Sequence, residues 1–200
     1  YPPLQSVEDY RPCPAPAGEA GVIARAAAKL CGASRPVIIA GGGIKNTEGH
    51  SAALALAEAL NAPVVTSPGH GDAIPFGHPL NAGQMGPRGN VVASQLVKEA
   101  DVILALGTRI GFNATFYSYD NINRDAAIIQ IELEPTALGR YFPVEIGIWA
   151  DAPTAALQLC EEVKRLDQRR LADDWTATFK ADRQAFLAAR DAQAITAANP

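Results

Sequence analysis

Several residues of this chain are of types that hold a phosphate or a sugar, and each closes a short apolar run. Gly41, Gly42 and Gly43 end the run Pro36-Val-Ile-Ile-Ala40. Having no Cβ, they let backbone N–H groups come close to an anion, and a following helix start would favour negative charge. The same triplet also suits a plain strand-to-helix turn, so on its own it supports either reading. Arg109 closes Gly107-Thr108-Arg109 after a second run and offers a planar guanidinium suited to phosphate. Glu132 ends a third run and can accept from a ribose hydroxyl or an amide. Thr66 and Asp151 close two more. This is binding chemistry more than bond-breaking chemistry.

Bond-breaking candidates are weaker. His70 and Asp72 share a loop with Ser67, but Ser-Pro-Gly-His is not a nucleophile elbow, and its order implies no base held by an orienting group. His50, just before a helix, is expected to face solvent, and His78-Pro79 reads as a turn pair. No H-E-x-x-H and no carboxylate cluster with metal-ligand spacing occurs. No catalytic residue and no metal site is therefore assigned. After the glycines, the loop over 66–72 is the segment best placed to touch a ligand.

The elements that must position these residues follow from periodicity. Runs of Val and Ile bounded by Pro and Gly read as strands buried on both faces, the habit of parallel sheets. Strands are expected over 36–40, 63–66, 80–84, 102–106, 127–133 and 144–149. Helices are expected over 18–31 (Ile23, Ala26, Ala27 and Leu30 inward), 47–60 (Ala53, Leu56, Ala57 and Leu60 inward), 90–99 and 151–166 (Ala156, Leu159, Cys160 and Val163 inward). Asp151 is also a good N-cap for the last of these. Residues 110–124 read as an aromatic loop able to form a wall. Alternating strands and helices predict an α/β, three-layer, Rossmann-like domain, a parallel sheet with helices on both faces. In such sheets ligands bind beyond the carboxyl ends of the strands, where all the candidates fall. A standard NAD site is not expected, because Asn46 replaces the third glycine of G-x-G-x-x-G and Ser67-Pro68 follows the second strand instead of an acidic residue.

The chain is organised as a Pro-rich linker over 1–17, a central domain over 18–168, and a polar, alanine-rich helix over 169–200. That helix, anchored by Trp175, Phe179 and Phe186, is expected to find little to pack against in isolation, and so to dock on a neighbour or lead into a next domain. A start without Met or a signal pattern suggests a piece of a longer protein. Of 200 residues 48% are hydrophobic, enough for one sizeable core, yet no run approaches the ~20 apolar residues of a membrane helix. A net charge of −4 argues against non-specific nucleic-acid binding. Three cysteines without C-x-x-C spacing exclude a zinc knuckle or disulfide scaffold and suit the cytoplasm. Cys31 and Cys160 are expected to be small buried hydrophobes.

Arg35-Pro-Val-Ile-Ile-Ala-Gly-Gly-Gly43, Leu60-Asn-Ala-Pro-Val-Val-Thr66, Ala100-Asp-Val-Ile-Leu-Ala-Leu-Gly-Thr-Arg109 and Ile129-Gln-Ile-Glu-Leu-Glu-Pro135 together resemble the central domain of thiamine-diphosphate enzymes, the group of acetolactate synthase and pyruvate oxidase. Met85-Gly-Pro-Arg-Gly89, Leu138-Gly-Arg140 and Val144-Glu-Ile-Gly-Ile-Trp-Ala-Asp-Ala152 resemble its sulfoacetaldehyde acetyltransferase branch. Acetolactate synthases tend to follow the Gly-x-Arg with Phe and two acidic residues, whereas Ile110-Gly111-Phe112 follows here.

The resemblance implies a six-stranded parallel sheet set between two thiamine-binding domains of the same polypeptide, in a homo-oligomer, dimer or tetramer. It implies thiamine diphosphate and Mg²⁺ in the full-length enzyme, which cleaves beside a carbonyl with the thiazolium carbanion as nucleophile and electron sink. This chain carries neither the Gly-Asp-Gly nor the Asn-Asn of that site. It is therefore expected neither to bind the cofactor nor to turn over alone. In some relatives the central domain holds FAD or ADP, and the matching positions here are Gly41, Gly42, Gly43, Thr66, Gly107, Arg109, Glu132 and Asp151. The alternative is a stand-alone nucleotide-binding module. A deacetylase with a related core is disfavoured by the missing zinc cysteines.

Overall fold

In the computed structural model, which describes residues 15–45, 49–166 and 172–198, six strands form one parallel sheet. Strand β1 is Pro36–Ala40, β2 Val64–Thr66, β3 Asn81–Gln84, β4 Val102–Leu106, β5 Ala127–Glu132 and β6 Ile146–Trp149. Their spatial order is β3-β2-β1-β4-β5-β6, and every neighbouring pair is parallel. The helices are α1 (Ala20–Cys31), α2 (Gly49–Leu60), α3 (Val91–Glu99), α4 (Phe112–Thr115), α5 (Ala152–Leu166) and α6 (Asp173–Ala198). The expected Rossmann-like architecture is the one observed.

Strand periodicity divides the core into two layers. Ile38, Leu104, Leu106, Ile129 and Ile131 point to a face covered by α1, α2 and α5. Val37, Ile39, Ile103, Ala105 and Ile128 point to the other, covered by α3 and the first half of α6. All five residues of β1 and of β4 are buried, so the unbroken apolar runs reflect burial on both faces. The predicted inward faces of α1, α2 and α5 are all buried, and Cys31 and Cys160 lie among them.

Helix ends follow local chemistry. Glu19 caps α1, its carboxylate accepting from the N–H groups of Gly21 and Val22 at 2.8 Å each. Those bonds hold the Glu19 carboxyl below the usual glutamate range. Because the folded value is the lower one, the cap acts in full above the unfolded glutamate range and is lost as pH falls through the folded value. Thermal melts of Glu19→Ala are expected to fall below those of the parent at pH 7 and to converge with them as the solution is acidified.

Differences from the sequence expectations are local. The element after β1 is a 3-10 turn, Gly42–Lys45, which includes two of the glycines, and α2 is described from Gly49 rather than from residue 47. Residues 46–48, most of the Pro-rich stretch and the expected boundary at 168 lie outside the described residues. The 110–124 segment contains the short α4.

The largest correction concerns the expectation that α6 finds little to pack against, since it packs on its own domain. Phe179 is buried against the α3 face and Trp175 packs beside it, its indole N–H donating to Pro36 O at 3.3 Å. The Thr176 hydroxyl donates to Asn61 O at 2.6 Å. Arg183 donates to Asn81 O and to Phe76 O. With Asn90 Nδ2 donating to Ala82 O at 2.7 Å, Arg183 covers part of the open edge of β3 against stray strand pairing. Among the described residues no helix is long and apolar enough to cross a membrane.

Candidate functional site

From β1 the chain leaves towards β2, and from β4 it leaves towards β5, so the loops beyond these adjacent strands diverge. That is the topological switch point at which open α/β sheets bind ligands. A crevice of about 400 Å³ lies there, floored by Gly42, Gly43 and Gly107 and walled by Ser67, His70, Arg109, Phe112 and Glu132. A larger hollow of about 650 Å³ lies at the opposite ends of the strands, by Lys29, Asp101 and Glu145. It collects none of the candidate residues, and three of its charged members are engaged. Lys29 pairs with Glu145 at 2.9 Å, and the Asp101 carboxylate accepts from the Ser34 and Arg35 N–H groups.

The glycines are first a packing device. Gly41 N–H donates to Leu106 O at 3.0 Å and Gly43 N–H to Gly107 O at 2.9 Å, which ties the turn after β1 to the turn after β4. A Cβ on Gly43 would lie 2.7 Å from Gly107 Cα. Gly107 itself has φ +61°, the left-handed region that glycine enters without penalty. Two of the three triplet N–H groups thus serve the crossing of two strand ends.

Beyond Gly107 the chain presents Arg109 at the rim. Its guanidinium is exposed and has no hydrogen-bond or ion-pair partner among the described residues. Ile110, buried and with φ +49°, turns the chain sharply at this point. A β-branched residue in that region stores about 1–3 kcal/mol of strain. Gln130, buried on β5, holds the turn from behind. Its amide donates to Thr108 O at 3.2 Å and to Ala137 O at 3.4 Å, and its carbonyl accepts from Gly139 N–H at 2.9 Å.

Glu132 lines the crevice while its Oε1 accepts from the N–H groups of Leu133 (3.1 Å) and Glu134 (3.4 Å). Glu134 caps the next 3-10 turn through Thr136. Phe112 begins an exposed aromatic shelf beside the crevice. It lies 4.9 Å from Phe116 and 5.6 Å from Tyr117 between ring centroids, and Tyr117 stacks on Tyr141 at 4.6 Å.

Of the eight sequence candidates, Gly42, Gly43, Gly107, Arg109 and Glu132 come together here. Gly41, Thr66 and Asp151 do not line the crevice. Thr66 is fully buried, with its hydroxyl unpartnered among the described residues. Asp151 caps α5, accepting from Thr154 N–H at 3.1 Å and from its hydroxyl at 2.8 Å. Ser67, His70, Gly111 and Asn113 join the lining without having been singled out as site residues. The only signal for them was membership in loops expected to touch a ligand. His50 is half-buried, its Nδ1 3.1 Å from Ala73 O, rather than facing solvent. His78 occupies a turn as expected, with Nε2 3.3 Å from Glu58.

Comparison with known proteins adds a family. Residues 23–159 match the family described as thiamine pyrophosphate enzyme, central domain. A sulfoacetaldehyde acetyltransferase of Rhodobacter capsulatus is 44% identical over 145 residues, covering 72% of this chain and 25% of that protein. One from Castellaniella defragrans is 38% identical over 174 residues, 86% of this chain and 28% of the relative. The acetolactate synthase large subunit of Buchnera aphidicola is 30% identical over 183 residues, 90% of this chain and 31% of the relative. The chain thus spans between a quarter and a third of the length of these relatives.

Proposed function

The chain belongs to the central-domain family of thiamine pyrophosphate enzymes, and from that premise we propose that it is the non-catalytic middle part of a thiamine-diphosphate-dependent transferase or lyase, akin to sulfoacetaldehyde acetyltransferase or acetolactate synthase. Its role is to supply sheet surface and subunit contacts, and to hold a nucleotide, FAD or ADP, in the crevice beyond β1 and β4. Thiamine diphosphate and Mg²⁺ belong to flanking domains of the same polypeptide. The parent enzyme is a cytoplasmic homo-oligomer, a dimer or tetramer.

The chain's own residues do not fit a thiamine–metal site. The sequence lacks both motifs, and among the described residues no group of three His, Cys, Asp or Glu is placed to hold a metal ion. No thiamine step is therefore assigned to this chain. The crevice residues do suit a nucleotide. The observation that carries this reading is the unpartnered guanidinium of Arg109 standing over a glycine floor at the switch point. Arg109 would hold a phosphate and Glu132 a ribose hydroxyl, while the shelf starting at Phe112 offers π faces for a ring.

Calorimetric titration of the chain with FAD, ADP and thiamine diphosphate plus Mg²⁺ tests the proposal. ADP or FAD is expected to bind, and Arg109→Ala to weaken binding by about 10- to 100-fold, the worth of a charge-assisted hydrogen bond. Silence from both nucleotides overturns the nucleotide role. Tight thiamine diphosphate binding overturns the placement of that cofactor in flanking domains. A stand-alone nucleotide-binding module is the other reading. Thiamine-binding motifs on both flanks of the parent reading frame would exclude it, whereas a frame closing near Pro200 would favour it.

A further inference from the structure

One side chain of the crevice wall has hydrogen-bonding capacity that no protein group uses among the described residues. His70 Nδ1 is shielded from solvent, and so from a ligand, and makes no hydrogen bond there. Nε2 is not sealed in this way and is the ring nitrogen left to meet a ligand. The ring lies against the glycine floor, since a Cβ on Gly42 would come 2.9 Å from its Cε1 and 3.2 Å from its Nε2. The imidazole thus fills space that any larger residue at Gly42 would claim, and it faces the same hollow as Arg109.

The neighbouring charges are committed elsewhere. Lys45, from the 3-10 turn after β1, pairs with Asp72 at 2.8 Å and donates to Gly69 O at 3.3 Å. His50, at the start of α2, is taken by Ala73 O. On the other walls stand Glu132, engaged with two backbone N–H groups, and Arg109, which makes no hydrogen bond or ion pair among the described residues but whose charge reaches the Glu134 carboxyl. Burial first, and then the Lys45 cation, hold the His70 ring below the ordinary histidine value, with Asp72 opposing in part. These surroundings therefore favour the neutral imidazole. An anion entering the crevice would reverse that balance, because opposite charge stabilises the protonated ring.

We propose that His70 is a ligand-contact residue of this crevice, its ring taking a proton from solvent and its Nε2 donating a hydrogen bond to a phosphate oxygen of the bound nucleotide. The proposal rests on the nucleotide reading above; the only bond made is the ring's N–H, its proton coming from solvent. Its consequence is proton linkage. Where pH lies between the free and the bound pKa of the ring, binding takes up a proton, so affinity rises as pH falls through that window. The terminal phosphate of ADP titrates nearby, and a His70→Gln variant retains that titration while losing the ring's.

The test is calorimetry of the 200-residue chain with ADP, adenosine and inorganic phosphate at about pH 6 and 8, in two buffers of different ionisation enthalpy, for the parent, His70→Gln and His70→Ala. Circular dichroism confirms that each variant folds, and the two substitutions guard against failure of either. Both variants are expected to weaken ADP about tenfold at pH 6 and less than about threefold at pH 8, with loss of proton uptake. Unchanged ADP affinity and uptake in the variants overturn the His70 contact and leave the nucleotide reading standing. Adenosine binding as tightly as ADP also overturns the phosphate contact. Inorganic phosphate binding with His70-dependent uptake while ADP stays silent retains the contact and overturns the nucleotide. Silence from all three ligands overturns both.

Discussion

Replacing Gly107 by alanine is expected to lower the midpoint of thermal unfolding by roughly 6–12 °C. Two costs add. The backbone at Gly107 has φ +61°, which costs an alanine about 1–2 kcal/mol. The new Cβ would also lie 2.8 Å from Gly43 Cα and 3.0 Å from Ala152 Cβ. The first neighbour is backbone in the turn after β1 and the second opens α5, so neither yields easily. Overpacking of this kind costs about 1–3 kcal/mol, for a total near 3 kcal/mol. Gly139→Ala separates the two terms, because Gly139 has φ +67° with nothing within 4 Å of its would-be Cβ. That variant should lose only the conformational part, about 1–2 kcal/mol. Equal losses at the two positions, measured by calorimetric or dichroism melts, would show that the contact between the two strand-end turns contributes nothing.

Gln130→Leu is the second large effect. The volume is nearly kept, but Thr108 O and Ala137 O lose their donor in a buried setting, and Gly139 N–H loses its acceptor at a part-buried one. An abandoned buried polar group costs about 1–3 kcal/mol, so a loss near 2–3 kcal/mol and a midpoint lower by roughly 4–12 °C are expected. Gln130→Glu gives the signature of the same site. A carboxylate there meets Thr108 O and apolar surroundings, so its folded pKa is raised above the unfolded one. The penalty is then largest near neutral pH and shrinks as pH falls through the raised value. A deficit that stays constant from pH 7 to pH 4 would show that Gln130 is not holding the Arg109 turn by its amide. Should ADP bind as proposed, Gln130→Leu also weakens it, since Thr108 precedes the arginine.

Much of the fold was legible because burial leaves a periodic trace. Val37 to Ala40 and Val102 to Leu106 are apolar throughout because both of their faces are covered. The faces of α1, α2 and α5 were readable for the same reason at helical spacing. The site was legible in part. Glycine or a polar residue at the end of each apolar run marked strand ends, and five of those residues meet at one crevice. Asp151 shows why the remainder were not: a carboxylate at a strand end serves as well to cap the next helix as to face a ligand, and the choice depends on the direction of the turn.

The sequence by itself determined the alternation of strands and helices and the inward faces, since these rest on composition and spacing along one segment at a time, while the family came from the joint resemblance of several motifs. Only the tertiary structure decided which strand ends adjoin, that Gly43 and Gly107 close on each other, that α6 folds back over α3 and the edge of β3, and that His70 rests on Gly42 with one nitrogen unmatched. Each of these joins segments far apart in the chain through turns whose geometry is fixed by what they pack against. Local periodicity carries no record of such contacts.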